Sequence, residues 1–129
     1  MSNFKNIFKV VGDEQASGPQ SSGGGNIAER IQSDIESNKI LIYMKGNPQM
    51  PQCGFSAATV EVFNALDVPY ETRDVLQDPE LRQGIKEFSN WPTIPQVYIN
   101  GKFVGGCDIV LEMHQQGQLE PIVKEALQG

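Results

Sequence analysis

An Asn-Gly pair at positions 100 and 101 constrains the fold of this 129-residue chain more than any other feature of its sequence. The pair lies between two runs rich in β-branched and aromatic residues, 96–99 and 102–105. Asn and Gly readily adopt the positive φ angles that a two-residue type I′ turn requires. The sequence therefore predicts an antiparallel hairpin here, and the remaining elements have to be compatible with a sheet that contains it.

Hydrophobic periodicity before the hairpin predicts a helix and two strands. Ile27, Ile31 and Ile35 recur every four residues, which places them on one face of a helix. The apolar run 40–44 is typical of a buried strand, and residues 70–75 predict a second strand. The ordered part of the chain is therefore expected to begin near residue 26.

Four more helices are predicted from apolar spacing and from capping residues. The apolar stripe between the two strands consists of Phe55, Ala58, Val62 and Leu66. Asp78 is a suitable N-cap for a helix with Pro79 at its first position. Asp108 is expected to cap a helix after the hairpin, and a break at Gly117 precedes a final helix.

The predicted order of elements is α-β-α-β-α-β-β-α-α. A βαβ unit followed by a hairpin and further helices implies an α/β fold, with a four-stranded mixed sheet flanked by helices on both faces. This is the thioredoxin-like arrangement. We expect one such domain over residues 26–129.

Residues 1–25 differ from the rest of the chain. The stretch 12–25 is rich in Gly, Ser and Gln, which predicts a flexible linker. The preceding segment 4–11 is apolar and mildly basic, and it is compatible with a frayed helix, a docking tail or part of a targeting sequence. Its lack of arginine argues against a transit peptide, and its interrupted apolar run argues against a secretory signal.

Composition excludes several classes of function. A net charge of −6 argues against general binding to nucleic acid or to an anionic membrane, and no apolar run approaches the roughly 20 residues that span a bilayer. The cysteines, Cys53 and Cys107, are too few and too far apart for a secreted disulfide scaffold. The single histidine, His114, is expected to ligate nothing, so any metal would need ligands from another molecule.

Cys53 is the candidate reactive residue. It follows a loop with two prolines, 46–52, and precedes a predicted helix, whose N-terminal amides and dipole stabilise a thiolate. Ser56 stands where a dithiol site has its second cysteine, and a hydroxyl cannot resolve a mixed disulfide. The alternative interpretation of Cys53 is a small buried apolar residue. Cys107 is either a buried neutral thiol, which we favour, or a regulatory disulfide partner of Cys53.

Four motifs in order and at matching spacing resemble those of the monothiol glutaredoxins. They are KG at 45–46, CGFS at 53–56, WPTIPQ at 91–96 and GGCDI at 105–109. The resemblance extends over about residues 27–127, so the N-terminal extension lies outside it. It implies the thioredoxin-like fold and a glutathione-binding groove beside the cysteine.

The resemblance implies which side chains contact the glycine end of glutathione. Lys45 is expected to contact the glycine carboxylate beside the thiolate. Arg82 and Lys86 lie four residues apart on one helical face, so both are expected to reach that carboxylate, although solvated surface cations are the alternative interpretation. Gly54 and Phe55, which directly follow Cys53, are also predicted to contact glutathione.

The remaining predicted glutathione contacts come from the last two motifs. Thr93, Ile94 and Pro95 resemble a loop with a cis peptide bond before proline, which implies that the Ile94 backbone pairs with the cysteinyl part of glutathione. Trp91 is interpreted as packing or as a lid against a bound cluster. The resemblance also implies that the chain approaches glutathione closely at Gly106. It implies that Cys107 and Asp108 contact the γ-glutamyl group of glutathione.

One thiolate supplies one ligand, whereas a 2Fe–2S cluster takes four. Two chains that each contribute Cys53 and a bound glutathione supply four, so we expect a homodimer formed through the cluster. The resemblance implies transfer of that cluster to recipient iron–sulfur proteins, and it also implies a BolA-like protein as a possible partner. The alternative function is a glutathione-dependent thiol–disulfide oxidoreductase using the monothiol route, for which the resemblance implies weak activity.

A cytoplasmic location is expected, with a mitochondrial or plastid one as the alternative if residues 1–25 are a targeting segment.

Overall fold

The computed structural model describes residues 26–128. The predicted linker 12–25, the segment 4–11 and Gly129 lie outside the described residues. The helices are α1 (Ile27–Ser37), α2 (Gly54–Leu66), α3 (Pro79–Ser89), α4 (Cys107–Gln115) and α5 (Leu119–Gln128), and the strands are β1 (Ile40–Met44), β2 (Glu71–Asp74), β3 (Gln96–Ile99) and β4 (Lys102–Gly105). This order confirms the predicted one. Across residues 26–128, no helix combines the length and the apolar character needed to cross a membrane.

Strand β2 is shorter than the predicted strand over residues 70–75. It ends at Asp74, and a short 3-10 turn, Val75–Gln77, follows. The Asp74 carboxylate accepts a hydrogen bond from the Leu76 amide at 2.9 Å. Because this side chain caps the turn, Val75 leaves the extended conformation that its β-branched side chain favours.

The four strands form one mixed sheet in the order β2-β1-β3-β4. Strand β1 is parallel to β2 and antiparallel to β3, which is in turn antiparallel to β4. At the turn between β3 and β4, Asn100 has a φ of 56° and Gly101 a φ of 79°. Two positive φ angles are what a type I′ turn requires, so the predicted hairpin is confirmed.

Strand β1 separates two hydrophobic layers. All five of its residues are buried. Ile40, Ile42 and Met44 belong to the core that contains α2, α4 and α5, while Leu41 and Tyr43 belong to the core beneath α1 and α3. Alternate side chains of a strand point to opposite faces, so helices cover both faces of the sheet. The predicted α/β thioredoxin-like class is thereby confirmed.

The N-cap of α3, which was predicted from the sequence, joins α1 to α3. Asp78 accepts from the Leu81 amide at 3.1 Å, and its other carboxylate oxygen accepts from Arg30 of α1 at 2.6 Å. Both contacts favour the charged carboxylate, and they hold the pKa of Asp78 below its usual value despite the opposing effect of burial. Helix α1 itself is capped by Asn26, whose side chain accepts from the Glu29 amide.

The predicted apolar stripe of α2 is wrong at Phe55, whose side chain is 63% exposed. Phe55 lies in the first turn, beside the open groove described below rather than over the sheet. The buried positions of the helix are Ser56, Thr59, Val60, Val62 and Phe63. Two of these are polar, and the Thr59 hydroxyl satisfies its hydrogen bond internally by donating to the Phe55 carbonyl. The spacing of apolar residues alone therefore could not identify the buried face of α2, because that face includes Ser56 and Thr59.

The expected N-cap of α4, Asp108, is also wrong. The N-cap is Gly106, which makes no side-chain capping bond, and Asp108 is the exposed second residue of the helix. Gly105, with a φ of 152°, lets the chain leave β4 and begin the helix early. The first amides of α4 are therefore not capped by a side chain.

Gly84 of α3 provides a test of how closely α1 and α3 pack. A Cβ atom at this position would lie 2.8 Å from Cγ1 and 3.0 Å from Cγ2 of Ile27. Alanine adds about 1 kcal/mol of helix propensity, whereas overpacking costs about 1–3 kcal/mol. We therefore expect Gly84→Ala to lower the free energy of unfolding by about 1 kcal/mol, as measured by urea denaturation.

The control is the same substitution in an Ile27→Ala background, where the overlapping atoms are absent. There Gly84→Ala should be neutral or stabilising. A stabilising effect of Gly84→Ala in the wild-type background would show that α1 moves away at no cost and would contradict the packing argument.

Candidate functional site

A closed loop between β1 and α2 determines where Cys53 lies. The Gln52 amide donates to the Lys45 carbonyl at 2.8 Å, so the loop returns to the end of β1. Gly46 has a φ of +87°, and a side chain at this position would overlap the Met50 carbonyl oxygen. Glycine is therefore required at the start of the loop, which brings Cys53 back beside the end of β1.

Asp74 fastens this loop to the neighbouring strand β2. One of its carboxylate oxygens accepts from the Gly46 amide and from the Leu76 amide, both at 2.9 Å. This residue was missed in the sequence analysis. The available signal was an acidic residue at the C-terminal end of a strand, where it can cap neighbouring backbone amides at the sheet edge.

Cys53 is the N-cap of α2. Its Sγ accepts from the Ser56 amide at 3.3 Å and lies 3.3 Å from the Ser56 hydroxyl oxygen. That hydroxyl is fully buried and accepts from the Lys45 amide at 3.1 Å. As a thiol, Cys53 donates to the hydroxyl oxygen; as a thiolate, it accepts the hydroxyl proton. Ser56 can therefore pair with either protonation state.

Two opposing effects act on the pKa of Cys53, and the lowering effect is the larger. Burial raises the pKa, but the hydrogen bonds from the Ser56 hydroxyl and from the Ser56 and Phe55 amides lower it, as does the charge of Lys45. The net pKa lies below that of an ordinary thiol. The thiolate therefore stabilises the fold fully above the pKa of the unfolded chain, and this contribution is lost as the pH falls through the folded pKa.

An open groove of about 390 Å³ lies beside this thiol. Its lining residues are Lys45, Phe55, Lys86, Trp91, Pro92, Thr93, Ile94, Pro95, Gly106, Cys107, Asp108 and Ile109. The volume is in the range of small-molecule sites. Cys53 is not itself one of the lining residues. The Phe55 amide and the charge of Lys45 both act on its sulfur, and both residues line the groove, so the thiol lies at the groove edge.

The structure brings together nine of the eleven residues predicted to bind glutathione. Gly54 and Arg82 are exposed and are not among the lining residues. Arg82 lies one turn before Lys86 on α3, and only Lys86 lines the groove. Trp91, Pro92 and Ile109 line the groove but were not in the predicted binding set, although all three belong to the motifs that indicated the site.

The loop between α3 and β3 forms one wall of the groove. The peptide bond between Ile94 and Pro95 is cis, as predicted. Trp91 packs against Phe103 with ring centroids 5.6 Å apart, and its indole nitrogen is buried without a hydrogen-bond partner among the described residues. This wall meets α4 closely, because a Cβ at Gly106 would lie 3.2 Å from that nitrogen.

Cys107 forms part of the opposite wall as a free cysteine that is only 7% exposed. Cys53 is also free and is partly exposed. Within residues 26–128, no group of three or more His, Cys, Asp or Glu side chains is placed to hold a metal ion. The accessible reactive sulfur of the described site is therefore the one at Cys53.

The charges in the groove suit a zwitterionic ligand. Lys45 and Lys86 line it with cations, and Asp108 lines it with a carboxylate. The uncapped amides of α4 begin at the same place as Asp108 and favour an anion. The arrangement can therefore hold a molecule with carboxylates and an ammonium, next to a thiolate that attacks disulfide sulfur or binds a soft metal.

The fold and the site define the class as a thioredoxin-like protein with a single reactive thiol at a helix N-terminus and a cis-proline loop beside it. The glutaredoxin family model matches residues 40–104. The chain belongs to the glutaredoxin family, and the serine at position 56 places it with the monothiol type.

Similar proteins come from bacteria and from plant organelles. An uncharacterised ycf64-like monothiol glutaredoxin of Synechocystis is 56% identical over 76% of this chain and 92% of its own length, and glutaredoxin 4 of Escherichia coli is 47% identical over 75% and 84%. Mitochondrial monothiol glutaredoxin-S15 of Arabidopsis thaliana is 45% identical over 78% and 59%, so this chain spans less than two thirds of that relative.

Solved structures agree with the fold. Reduced poplar apo GrxS14 is 42% identical, with a TM-score of 0.69 over 78% of this chain and 92% of that one. A buckwheat glutaredoxin in complex with glutathione is 27% identical, with a TM-score of 0.70 over 78% and 89%.

The contribution of Ser56 to the thiolate can be measured directly. We expect Ser56→Ala to raise the pKa of Cys53 towards that of an ordinary thiol, because the hydroxyl donor to the thiolate is lost. The measurement is the rate of iodoacetamide alkylation as a function of pH, in a Cys107→Ser background so that only Cys53 reacts.

Ser37→Ala is the matched control, since the Ser37 hydroxyl donates to the Ser33 carbonyl on the exposed face of α1. It should leave the alkylation profile unchanged. An unchanged profile in Ser56→Ala as well would mean that the backbone amides and Lys45 account for the low pKa without the hydroxyl.

Proposed function

We propose that this chain binds glutathione in the groove beside Cys53 and, as a homodimer, holds a 2Fe–2S cluster for transfer to recipient iron–sulfur proteins. The observation that carries the proposal is the position of the Cys53 thiol. Its pKa is lowered, it is partly exposed, and it adjoins a groove lined by Lys45, Lys86 and Asp108.

Glutathione matches the charges of the groove. It carries two carboxylates and one ammonium. We assign Lys45 and Lys86, which line the groove, to its glycine carboxylate, and the uncapped amides at the start of α4 to its γ-glutamyl carboxylate. Asp108, at the same helix terminus, is available for the ammonium. The buckwheat glutaredoxin, which has the same fold, is known as a glutathione complex, and this supports the assignment.

The cis-proline loop supplies backbone groups for the middle of glutathione. Thr93 is exposed and Ile94 is buried, and both line the groove in a segment without helix or strand. An extended peptide can pair with such a segment as an added strand does. We assign the glutathione sulfur to the side of the groove where Lys45 and Phe55, the neighbours of Cys53, lie.

The number of ligands supports a dimer. A 2Fe–2S cluster takes four ligands, and the described residues offer one accessible thiolate per chain. Two Cys53 thiolates and two glutathione thiolates make four. Because half of these ligands are held non-covalently, the cluster can leave, which suits a carrier. A BolA-like protein that replaces one of the two chains would be a further partner.

A second function uses the same groove. The low pKa of Cys53 also favours a glutathione-dependent thiol–disulfide oxidoreductase. The Cys53 thiolate attacks the glutathione sulfur of a protein–glutathione disulfide and releases the protein thiolate. A second glutathione thiolate then attacks the glutathione sulfur bound to Cys53, which yields glutathione disulfide and regenerates the Cys53 thiolate. Ser56 does not prevent this route, because only one cysteine is used.

Anaerobic reconstitution with iron, sulfide and glutathione tests the carrier function. We expect visible absorption and circular dichroism of a cluster in a dimer by size-exclusion chromatography. Omission of glutathione, or Cys53→Ser, should abolish both signals. Cys107→Ser is the matched control and should retain them, since serine keeps the backbone amide assigned to glutathione and the buried Cys107 thiol is not counted as a ligand.

A cluster that forms without glutathione, or that survives Cys53→Ser, would contradict the proposed ligand set. The absence of any cluster together with rapid turnover of a glutathionylated protein would instead establish the oxidoreductase function.

We propose residues 26–129 as the functional domain and residues 1–25 as an extension outside it. The glutaredoxin family model matches residues 40–104, and residues 12–25 are rich in Gly, Ser and Gln. Deleting residues 1–25 should therefore leave cluster binding intact in the same reconstitution, and loss of the cluster on deletion would contradict the linker interpretation.

We place the protein in the cytoplasm, with a mitochondrial or plastid location as the alternative, since the named relatives include bacterial and mitochondrial proteins.

A further inference from the structure

Gln96 is a polar residue in a position that favours an apolar one. It is the first residue of β3, and its side chain is fully buried. The neighbouring buried residues of the strand, Val97 and Ile99, are apolar. A buried amide costs stability unless its donors and acceptor are satisfied. The hydrogen bonds of the Gln96 side chain must therefore offset the cost of burying it.

All the donor bonds of the Gln96 side chain go to the groove wall. Its Nε2 donates to the Trp91 carbonyl at 3.0 Å and to the Thr93 carbonyl at 3.2 Å. Its Oε1 accepts from the Tyr98 hydroxyl at 3.4 Å, and this contact fixes which end of the amide faces the loop. One side chain thus ties two carbonyls of the loop to the central sheet.

The segment held in this way has no regular structure of its own. Residues 91–95 lie between α3 and β3, and all five line the groove. The Trp91 amide is held from the other side, because it donates to the Ser89 hydroxyl and to the Lys86 carbonyl, both at 3.2 Å. Both the amide and the carbonyl of Trp91 are therefore hydrogen-bonded. The Gln96 bond to the Thr93 carbonyl holds the middle of the same segment.

We propose that Gln96 is a positioning residue for glutathione. It does not line the groove itself, but it holds the backbone of residues 91–93 so that Thr93 and Ile94 present their peptide groups in the binding conformation. This inference rests on the proposed function, since glutathione is the ligand that pairs with this wall. It assigns to Gln96 a contribution to affinity that is separate from the chemistry of the thiol.

The separation follows from the hydrogen bonds. The low pKa of Cys53 depends on Ser56, Phe55 and Lys45, and Gln96 makes no bond to any of them. A change at Gln96 should therefore weaken glutathione binding and leave the pH dependence of Cys53 alkylation unchanged. A general loss of structure would move both quantities.

The test uses the full chain with Gln96→Met, which keeps the length of the side chain and removes its hydrogen bonds. Glutathione affinity is measured by calorimetric titration. Trp91 is the only tryptophan of the chain, so acrylamide quenching of its fluorescence reports directly on the loop. We expect about tenfold weaker binding, the equivalent of about one net hydrogen bond, with increased quenching and an unchanged Cys53 alkylation profile.

Val123→Ala is the matched control for stability. Val123 is fully buried on α5, in the hydrophobic layer on the opposite face of the sheet from Tyr98. The substitution should lower the free energy of unfolding and leave glutathione affinity and Trp91 quenching unchanged. An equal loss of affinity in Val123→Ala would show that Gln96 acts only through overall stability and would overturn the positioning role.

Tyr98→Phe provides a milder test if Gln96→Met does not fold, because it keeps the amide and removes the hydroxyl that orients it. It should weaken glutathione binding by about threefold. Binding as tight as that of the wild type in every folded variant would overturn the positioning role alone. Failure of the wild-type chain to bind glutathione would overturn the proposed function, and the positioning role with it.

Discussion

The burial of β1 on both faces is the constraint on which the rest of the molecule depends. Its five residues are shared between two hydrophobic layers, and it pairs with β2 on one edge and β3 on the other. The end of this strand also organises the site. The Lys45 amide donates to the Ser56 hydroxyl, and the Gly46 amide donates to Asp74. A strand that is buried along its whole length thus sets the position of the loop that carries Cys53.

The chemistry of the site follows from a competition at one sulfur atom. Burial alone would keep Cys53 protonated, and the hydrogen bonds at the N-terminus of α2 outweigh it. Ser56 contributes twice, through its amide and through its hydroxyl. A dithiol site has a second cysteine where Ser56 stands here, and that cysteine resolves a mixed disulfide. Ser56 instead donates hydrogen bonds that lower the pKa of Cys53. A thiol of lowered pKa, with serine in place of a second cysteine at position 56, is suited to holding a ligand that a second molecule completes.

Local sequence signals predicted the elements well and the start of helices less well. The Asn-Gly turn, the Asp78 cap and the alternation of helices and strands depend on neighbouring residues, and the structure confirms them. The errors at Phe55 and Asp108 have different causes. Phe55 is exposed because it borders the open groove and does not pack over the sheet. Asp108 is not the N-cap because the positive φ of Gly105 lets α4 begin earlier, at Cys107.

The sequence by itself determined the fold class, the thiol at a helix start and most of the groove residues, because these follow from short-range spacing and from motifs that the family shares. Tertiary structure alone decided that Lys86 rather than Arg82 lines the groove, and that Asp74 and Gln96 fasten its loops. The last two act through hydrogen bonds whose partners depend on how strands and loops are placed in space. A local pattern can mark Asp74 as a capping residue at the end of a strand, but the amides that it contacts depend on how the chain packs on both faces of β1.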